Sequence, residues 1–202
     1  MLSIQEQVVA SFETVKQMLT DRGISIANIE AIGPKELCDL CTTQSIFTLE
    51  VNECLCVVYY LTKMKIAEFK SAMFGKSKDI EEDDVRKNDD KTHIFVFKDE
   101  ISAQNKKSVG EFFRSHQVFQ ITRLLYNVSH HSLVPQHSLL KDERELQELF
   151  ARMNIKSKAL LPTIHQGDPM AKYMGLVPGD VIKIVRSSPT AGVYNYYRVC
   201  VA

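Results

Sequence analysis

The sequence contains no apolar run approaching the ~20 residues that cross a bilayer, and Met1 is followed by LSIQEQ, which has neither a basic n-region nor an apolar h-region. A transmembrane helix and a secretory leader are therefore not expected. Net charge is missing too, since 25 Lys/Arg balance 25 Asp/Glu. No overall field draws the chain to nucleic acid, which disfavours an autonomous DNA binder. Cysteine is sparse and odd in number, at five; without a secretory context these read as reduced thiols of a cytosolic or nuclear protein. Internal repeats and low-complexity tracts are also lacking.

What is present is an ordinary globular composition, 45% hydrophobic and 25% charged over 202 residues. That length suits one large domain or two small ones, because single domains mostly run ~100–150 residues. Charge is unevenly distributed. Residues 136–202 hold nine Lys/Arg and six Asp/Glu, leaving sixteen and nineteen for residues 1–135, so the two parts carry +3 and −3. Much of the acid sits in DIEEDDVRKNDD, residues 79–90, a run too charged to pack and read as a solvated loop.

Ser3 and Glu6 form a capping box ahead of Ile4, Val8, Phe12, Val15 and Leu19, an apolar stripe at helical spacing that stops at Gly23. Pro34 suits the first turn of a short helix over 35–41. Strand-like runs follow at 46–51 and 54–61, then a helical stretch at 63–74, a strand at 93–97, a helix at 103–115 and a strand at 119–128. Strands alternating with helices predict an α/β first domain over residues 1–129. HHSLVPQHSLL breaks both periodicities, which places a junction at 130–141.

The second domain, 142–202, opens with a helix at 142–153 whose face is Leu146, Leu149, Phe150 and Met153. Next comes GDPMAKYMGLVPGDVIKIVR, residues 167–186. Asp168 can cap a helix turn, Pro169 fits its first position, and Gly175 can take the left-handed stop. Pro178-Gly179 is the pair a type II turn demands, and it launches a strand from Asp180 to Arg186. SSPTAG turns the chain at Gly192 into a partner strand in which Tyr194, Tyr196, Arg198 and Cys200 alternate with Asn195, Tyr197, Val199 and Val201. A helix too short to stand alone, tied to a β-hairpin by two tight turns, predicts a small α+β docking module. Its specification is of shape, which points to assembly rather than catalysis.

These residues resemble a known family, the shared fifth subunit of eukaryotic RNA polymerases together with its archaeal counterpart. The shared pattern falls on Leu161, Pro162, Asp168, Pro169, Ala171, Tyr173, Gly175, Leu176, Gly179, Val181, Lys183, Ile184, Arg186, Ser188, Thr190, Ala191, Gly192, Tyr194, Tyr197 and Arg198. His130 to His137 is similar to the family's H-x-L-V-P-x-H segment. The first 125 residues match more thinly, at Asp21-Arg22-Gly23 and Ser102-Ala103. Ile101, Thr163, Val177 and Pro178 depart from the family's usual residues, which suggests a divergent member such as one encoded by a large DNA virus.

The resemblance implies an N-terminal jaw of restriction-endonuclease-like fold near downstream DNA and a C-terminal assembly domain that docks on the largest polymerase subunit. It implies no catalytic residues, cofactor or metal, no membrane partner and no self-association. Tyr173, Lys183, Arg186 and Arg198 become candidate partner contacts; Asp168, Pro169, Gly175, Pro178, Gly179 and Gly192 are the framework. The expected location is intracellular with the polymerase, in the nucleus or, for a viral member, in host cytoplasm and virion.

Three chemical alternatives stand beside this. Cys38, Cys41, Cys54 and Cys56 could pair as zinc ligands, but one pair falls on a helix and the other alternates in an apolar strand, where cysteine behaves as a small hydrophobe. His130, His131 and His137 flank a Val-Pro turn, where local hydrogen bonding is the simpler role. A nuclease needs clustered carboxylates and a lysine around a metal, and the sequence offers only Asp89 and Lys91 in the charged run. A free-standing interaction adaptor is the remaining non-enzymatic reading.

Overall fold

The computed structural model describes residues 2–74, 91–188, 190 and 192–202. The charged run at 79–90 lies outside them. The chain divides into two compact units, residues 1–126 and 127–202, both of mixed α/β structure.

The first unit begins with α1 (Ile4–Asp21). Its capping box is closed in both directions: Ser3 Oγ accepts from the Glu6 amide at 3.2 Å, and the Ser3 amide donates to Glu6 Oε2 at 2.7 Å. Val8, Phe12, Val15 and Leu19 are buried along the expected stripe, joined by Ser11, Thr14 and Met18. Then follow α2 (Ala27–Glu30) and α3 (Pro34–Thr43), the latter started by its proline. The sheet is built in the order β1 (Ile46–Asn52), β2 (Leu55–Tyr60), β3 (Thr92–Phe97), β4 (His116–Gln120). β1 is antiparallel to β2; β2, β3 and β4 are parallel. The parallel pairs need crossovers, and α4 (Ile66–Phe74) and α5 (Ala103–Phe112) lie within them.

All six residues of β2 are buried, because helices cover both faces of this interior strand. Cys56, Val58 and Tyr60 pack with Phe69 of α4, Phe95 and Phe97 of β3, and Val109 and Phe112 of α5. Tyr59 points the other way, stacked on Phe47 with centroids 5.1 Å apart and its hydroxyl 3.3 Å from Ser11 Oγ of α1.

Two expectations at the end of this unit are corrected. The helix expected over 103–115 stops at Phe112, because Phe113 is already extended at φ −118°. The strand expected over 119–128 is β4, starting earlier at His116 and ending at Gln120, followed by a 3₁₀ turn, Ile121–Leu124. Ile121 and Leu124 are both buried, and their spacing of three puts both on one side of that turn.

The second unit opens with a 3₁₀ turn, Val128–His130, and β5 (Gln136–Leu140). Residues 130–141, expected to be a junction, thus belong partly to a sheet: Gln136 to Leu140 pair with Val185 to Val181. Pro135 sits just before the strand, where its missing N–H costs no ladder bond. The helix α6 (Glu143–Met153) buries Leu146 and Leu149. Met153, expected on that face, is 44% exposed, since it falls in the last turn before Asn154 breaks the helix at φ +52°. β6 (Thr163–His165), α7 (Pro169–Met174), β7 (Val181–Ser188) and β8 (Gly192–Val201) complete the unit, with sheet order β5-β7-β8-β6. β6 is too short for periodicity to announce it.

Candidate docking surface

α7 is held by its ends. Asp168 Oδ1 accepts from the amides of Met170 at 2.8 Å and Ala171 at 3.4 Å, and Pro169 occupies the first turn. Gly175 ends the helix at φ +70°, and the Leu176 amide returns to the Ala171 carbonyl at 2.9 Å. This closure satisfies carbonyls that a helix end leaves open.

The next turn is fastened three times. The Asp180 amide donates to the Val177 carbonyl at 3.0 Å, with Pro178 second and Gly179 third at φ +97°. Asp180 Oδ2 accepts from the Val177 amide at 2.9 Å. The Gly179 amide reaches the Cys200 carbonyl at 2.9 Å, tying the turn to β8. Gly192, at φ +69°, opens β8; Pro189 and Ala191 lie outside the described residues.

β7 and β8 form one long antiparallel ribbon from the Val181–Val199 pair to Ser188–Gly192. β5 covers β7 only along Val181 to Val185, and β6 covers β8 only along Val199 to Val201. Beyond those limits the ribbon stands as two strands. At its base one face packs Ile182, Ile184 and Cys200 against Ile164, Ala171 and Leu176. The opposite face packs Val181 and Val199 against Leu146, Leu149 and Leu161.

Strand alternation carries both faces outward. The first presents Arg186, Tyr194, Tyr196 and Arg198, all exposed. Tyr194 and Tyr196 meet edge to face, centroids 4.7 Å apart. Arg186 stands opposite Tyr194 and makes no ion pair among the described residues; Arg198 donates to the Thr163 carbonyl at 3.1 Å. The second face presents Lys183 opposite Tyr197. Arg152 of α6 lies over the Tyr197 ring at 5.7 Å and donates to its hydroxyl at 2.9 Å. Arg152 escapes sequence reading because this contact spans 45 residues.

Tyr173, a candidate partner contact, requires correction. It is buried, and its hydroxyl accepts from Asn127 Nδ2 at 2.9 Å. It anchors α7 to the start of the unit, a framework role. Lys183, Arg186 and Arg198 remain at the surface.

Burial, then the neighbouring Cys38, pushes the Cys41 thiol up from its ordinary value. Cys56 packs in the core of the first unit. His131 Nδ1 accepts from the Leu133 amide at 3.2 Å, and His137 Nδ1 lies 2.6 Å from the Pro135 carbonyl. Among the described residues no three His, Cys, Asp or Glu side chains gather at a metal-holding geometry. Lys91 faces Glu50 at 3.5 Å, and Asp89 lies outside the described residues.

The second unit thus concentrates its caps and turns on holding out a basic, tyrosine-bearing ribbon. Residues 126–200 match the family described as RNA polymerase Rpb5, C-terminal domain. The chain is 34% identical over 197 residues, 94% of each chain, to the DNA-directed RNA polymerases I, II, and III subunit rpabc1 of Dictyostelium discoideum. It is 39% identical over 110 residues to the corresponding subunit RPABC1 of Caenorhabditis elegans, covering 54% of this chain and 51% of that one. It is 49% identical over 76 residues to DNA-directed RNA polymerase subunit Rpo5 of Pyrococcus horikoshii, covering 38% of this chain and 90% of that one. The chain belongs to the family of the shared fifth subunit of DNA-directed RNA polymerases, a non-catalytic subunit of enzymes whose chemistry lies in their large subunits.

Proposed function

We propose that this chain is attached to its polymerase through the second unit, which docks on the largest subunit, while the first unit serves as a jaw beside downstream DNA. The observation that carries the docking reading is the ribbon face on which Arg186, Tyr194, Tyr196 and Arg198 stand exposed together. Tyrosine and arginine are the residues that dominate buried interface cores. The archaeal relative supports the same division, since its match to this chain takes in 90% of its own length within 76 residues. A protein of that size has room for little beyond the second unit.

The jaw reading rests on the mixed sheet of the first unit and on charge. A chain with 25 basic and 25 acidic residues has no net attraction for phosphate. It touches DNA usefully only when a larger complex holds it there, because the field falls off within about 8–10 Å at physiological salt. The restriction-endonuclease-like character of the jaw belongs to this proposal. The chain works where its polymerase works, inside the cell and, in eukaryotes, in the nucleus.

Affinity purification of the tagged full chain, with co-purifying proteins identified by mass spectrometry, tests the docking. The largest polymerase subunit is expected at near-equal stoichiometry, and Arg186→Ala or Arg198→Ala should reduce it. A monomeric pool without polymerase subunits would instead support a free-standing adaptor.

A further inference from the structure

We infer that the outer edge of β8, at Val193, Asn195 and Tyr197, accepts an acidic, extended segment of the polymerase as an added β-strand; this deepens the docking reading above and rests on it. The first support is the hydrogen-bonding direction along β8. The Cys200 amide donates to Asp180 on the β7 side, whereas the Val199 amide donates to the Pro162 carbonyl and the Val201 carbonyl accepts from Gln166 on the β6 side. Backbone groups alternate along a strand. Odd-numbered residues of β8 therefore face outward, and Val193, Asn195 and Tyr197 continue the row that β6 occupies only from Thr163 to His165. Among the described residues no backbone hydrogen bond reaches that stretch of edge.

Why the pairing stops there is visible in the chain. Pro162 has no amide to offer, and the 3₁₀ turn Lys158–Leu160 precedes it. The edge left open spans residues 193–198, about 20 Å at ~3.3 Å per residue, enough for one strand of ordinary length.

The second support is that, among the described residues, no strand or backbone partner covers this edge. Sheet edges left to solvent are blunted by proline, lysine, a bulge or a covering loop. VYNYYR, residues 193–198, contains no proline, glycine or lysine and is rich in strand formers. Its pairing with β7 runs in unbroken register from Val199 to Gly192.

Charge selects the occupant. Residues 181–202 contain Lys183, Arg186 and Arg198 and no acidic residue. Arg186 and Arg198 project to one face and Lys183 to the other, so a strand laid beside β8 meets positive charge above and below. A second copy pairing edge to edge would oppose these like charges, which is costly. An acidic segment of another subunit gains on both counts, backbone pairing for affinity and charge for register.

Amide hydrogen exchange on the full chain, free and within the purified polymerase, tests this directly. In the free chain the amides of Val193, Asn195 and Tyr197 should exchange at least a hundredfold faster than those of Tyr194 and Tyr196, which face β7. In the assembly they should slow at least a hundredfold. Asn195→Pro removes one outward amide and spares the β7 ladder; it should weaken retention in the polymerase at least tenfold. Arg186→Glu should also weaken retention, and more than Arg186→Ala. A chain that is retained while its three outward amides stay fast overturns the inference and leaves the docking reading intact. Should Asn195→Pro fail to fold, the exchange comparison on the unaltered chain still decides. Retention of Arg186→Glu equal to that of the unaltered chain overturns the acidic occupant. A chain that co-purifies with no polymerase subunit overturns both readings.

Discussion

β2 and β8 are similar strings with opposite fates. LCVVYY is buried at all six positions, whereas the first five residues of β8, GVYNY, are exposed at every one. Both are rich in valine and tyrosine, so local composition does not separate them. Neighbours do: β2 lies between two strands with helices on both faces, and the start of β8 has only β7 beside it. The exposed large hydrophobics follow the same division, seven of the nine among the described residues falling in the second unit. Three of them, Val193, Tyr194 and Tyr196, gather on the ribbon. Singly such residues are unremarkable; grouped on one strand they are what the docking proposal above rests on. The first unit covers its valine- and tyrosine-rich strand; the second leaves its counterpart exposed.

The largest effect should come from the first unit. Phe95 is fully buried and touches the rings of Phe69, Phe97 and Phe113 at centroid distances of 5.4, 6.1 and 5.0 Å. Phe95→Ala should cost about 3–5 kcal/mol, read by urea unfolding followed by circular dichroism, since the chain has no tryptophan. A cost below about 1 kcal/mol would break the contrast between the units.

Next in size is the frame of the ribbon. Gly179 has φ +97° and open space around its missing Cβ, so Gly179→Val suffers from backbone strain rather than collision. It should cost more than Asp168→Ala, which loses an N-cap and about 0.5–2 kcal/mol. Equal costs in urea unfolding would mean that the turn relaxes and that the frame is softer than its three hydrogen bonds suggest.

Those framing residues are legible because caps and turns are chemistry over three or four residues. Ser3 with Glu6, Asp168 with Pro169, and Pro178 with Gly179 each carry their geometry in their own side chains. What stays hidden depends on partners distant in sequence. β5 reads as a junction because its pairing is with β7, more than forty residues on. Tyr173 reads as a contact because nothing local reports that its hydroxyl accepts from Asn127. The 3₁₀ turn at Ile121–Leu124 is masked by Phe119 and Ile121, whose alternation reads equally well as a continuing strand.

A smaller effect separates two adjacent tyrosines. Both are fully buried, but Tyr59 shares its hydroxyl with Ser11, while the Tyr60 hydroxyl has no hydrogen-bond partner among the described residues. Tyr60→Phe removes an unsatisfied group and should be neutral or stabilising by about 1 kcal/mol; Tyr59→Phe should cost about 0.5–1 kcal/mol. Burial also pushes the Tyr59 phenol above its ordinary value, with the Ser11 hydrogen bond opposing. A raised folded pKa means the stability from this group is whole below about pH 10, the unfolded value, and declines as pH rises past it. Alkaline urea titration should show that decline weakened in Tyr59→Phe. An unchanged slope would assign the alkaline loss to other groups.

The smallest effect on folding is the most informative about the ribbon. Tyr194 is 49% exposed and contacts chiefly Tyr196, edge to face. An exposed aromatic pair of this kind contributes little to a free chain, so Tyr194→Ala should shift unfolding by no more than about 0.5 kcal/mol. The same truncation within the polymerase removes a large, stiff ring from beside Arg186, and a centrally placed interface tyrosine loses about 2 kcal/mol or more, roughly thirtyfold in affinity. The two measurements should therefore diverge, with melting of the free chain nearly unmoved and retention in the polymerase sharply reduced. If both stay unmoved, the docking surface lies on another face of the second unit. If both fall together, the tyrosine pair is part of the fold, and the ribbon is as complete in itself as β2.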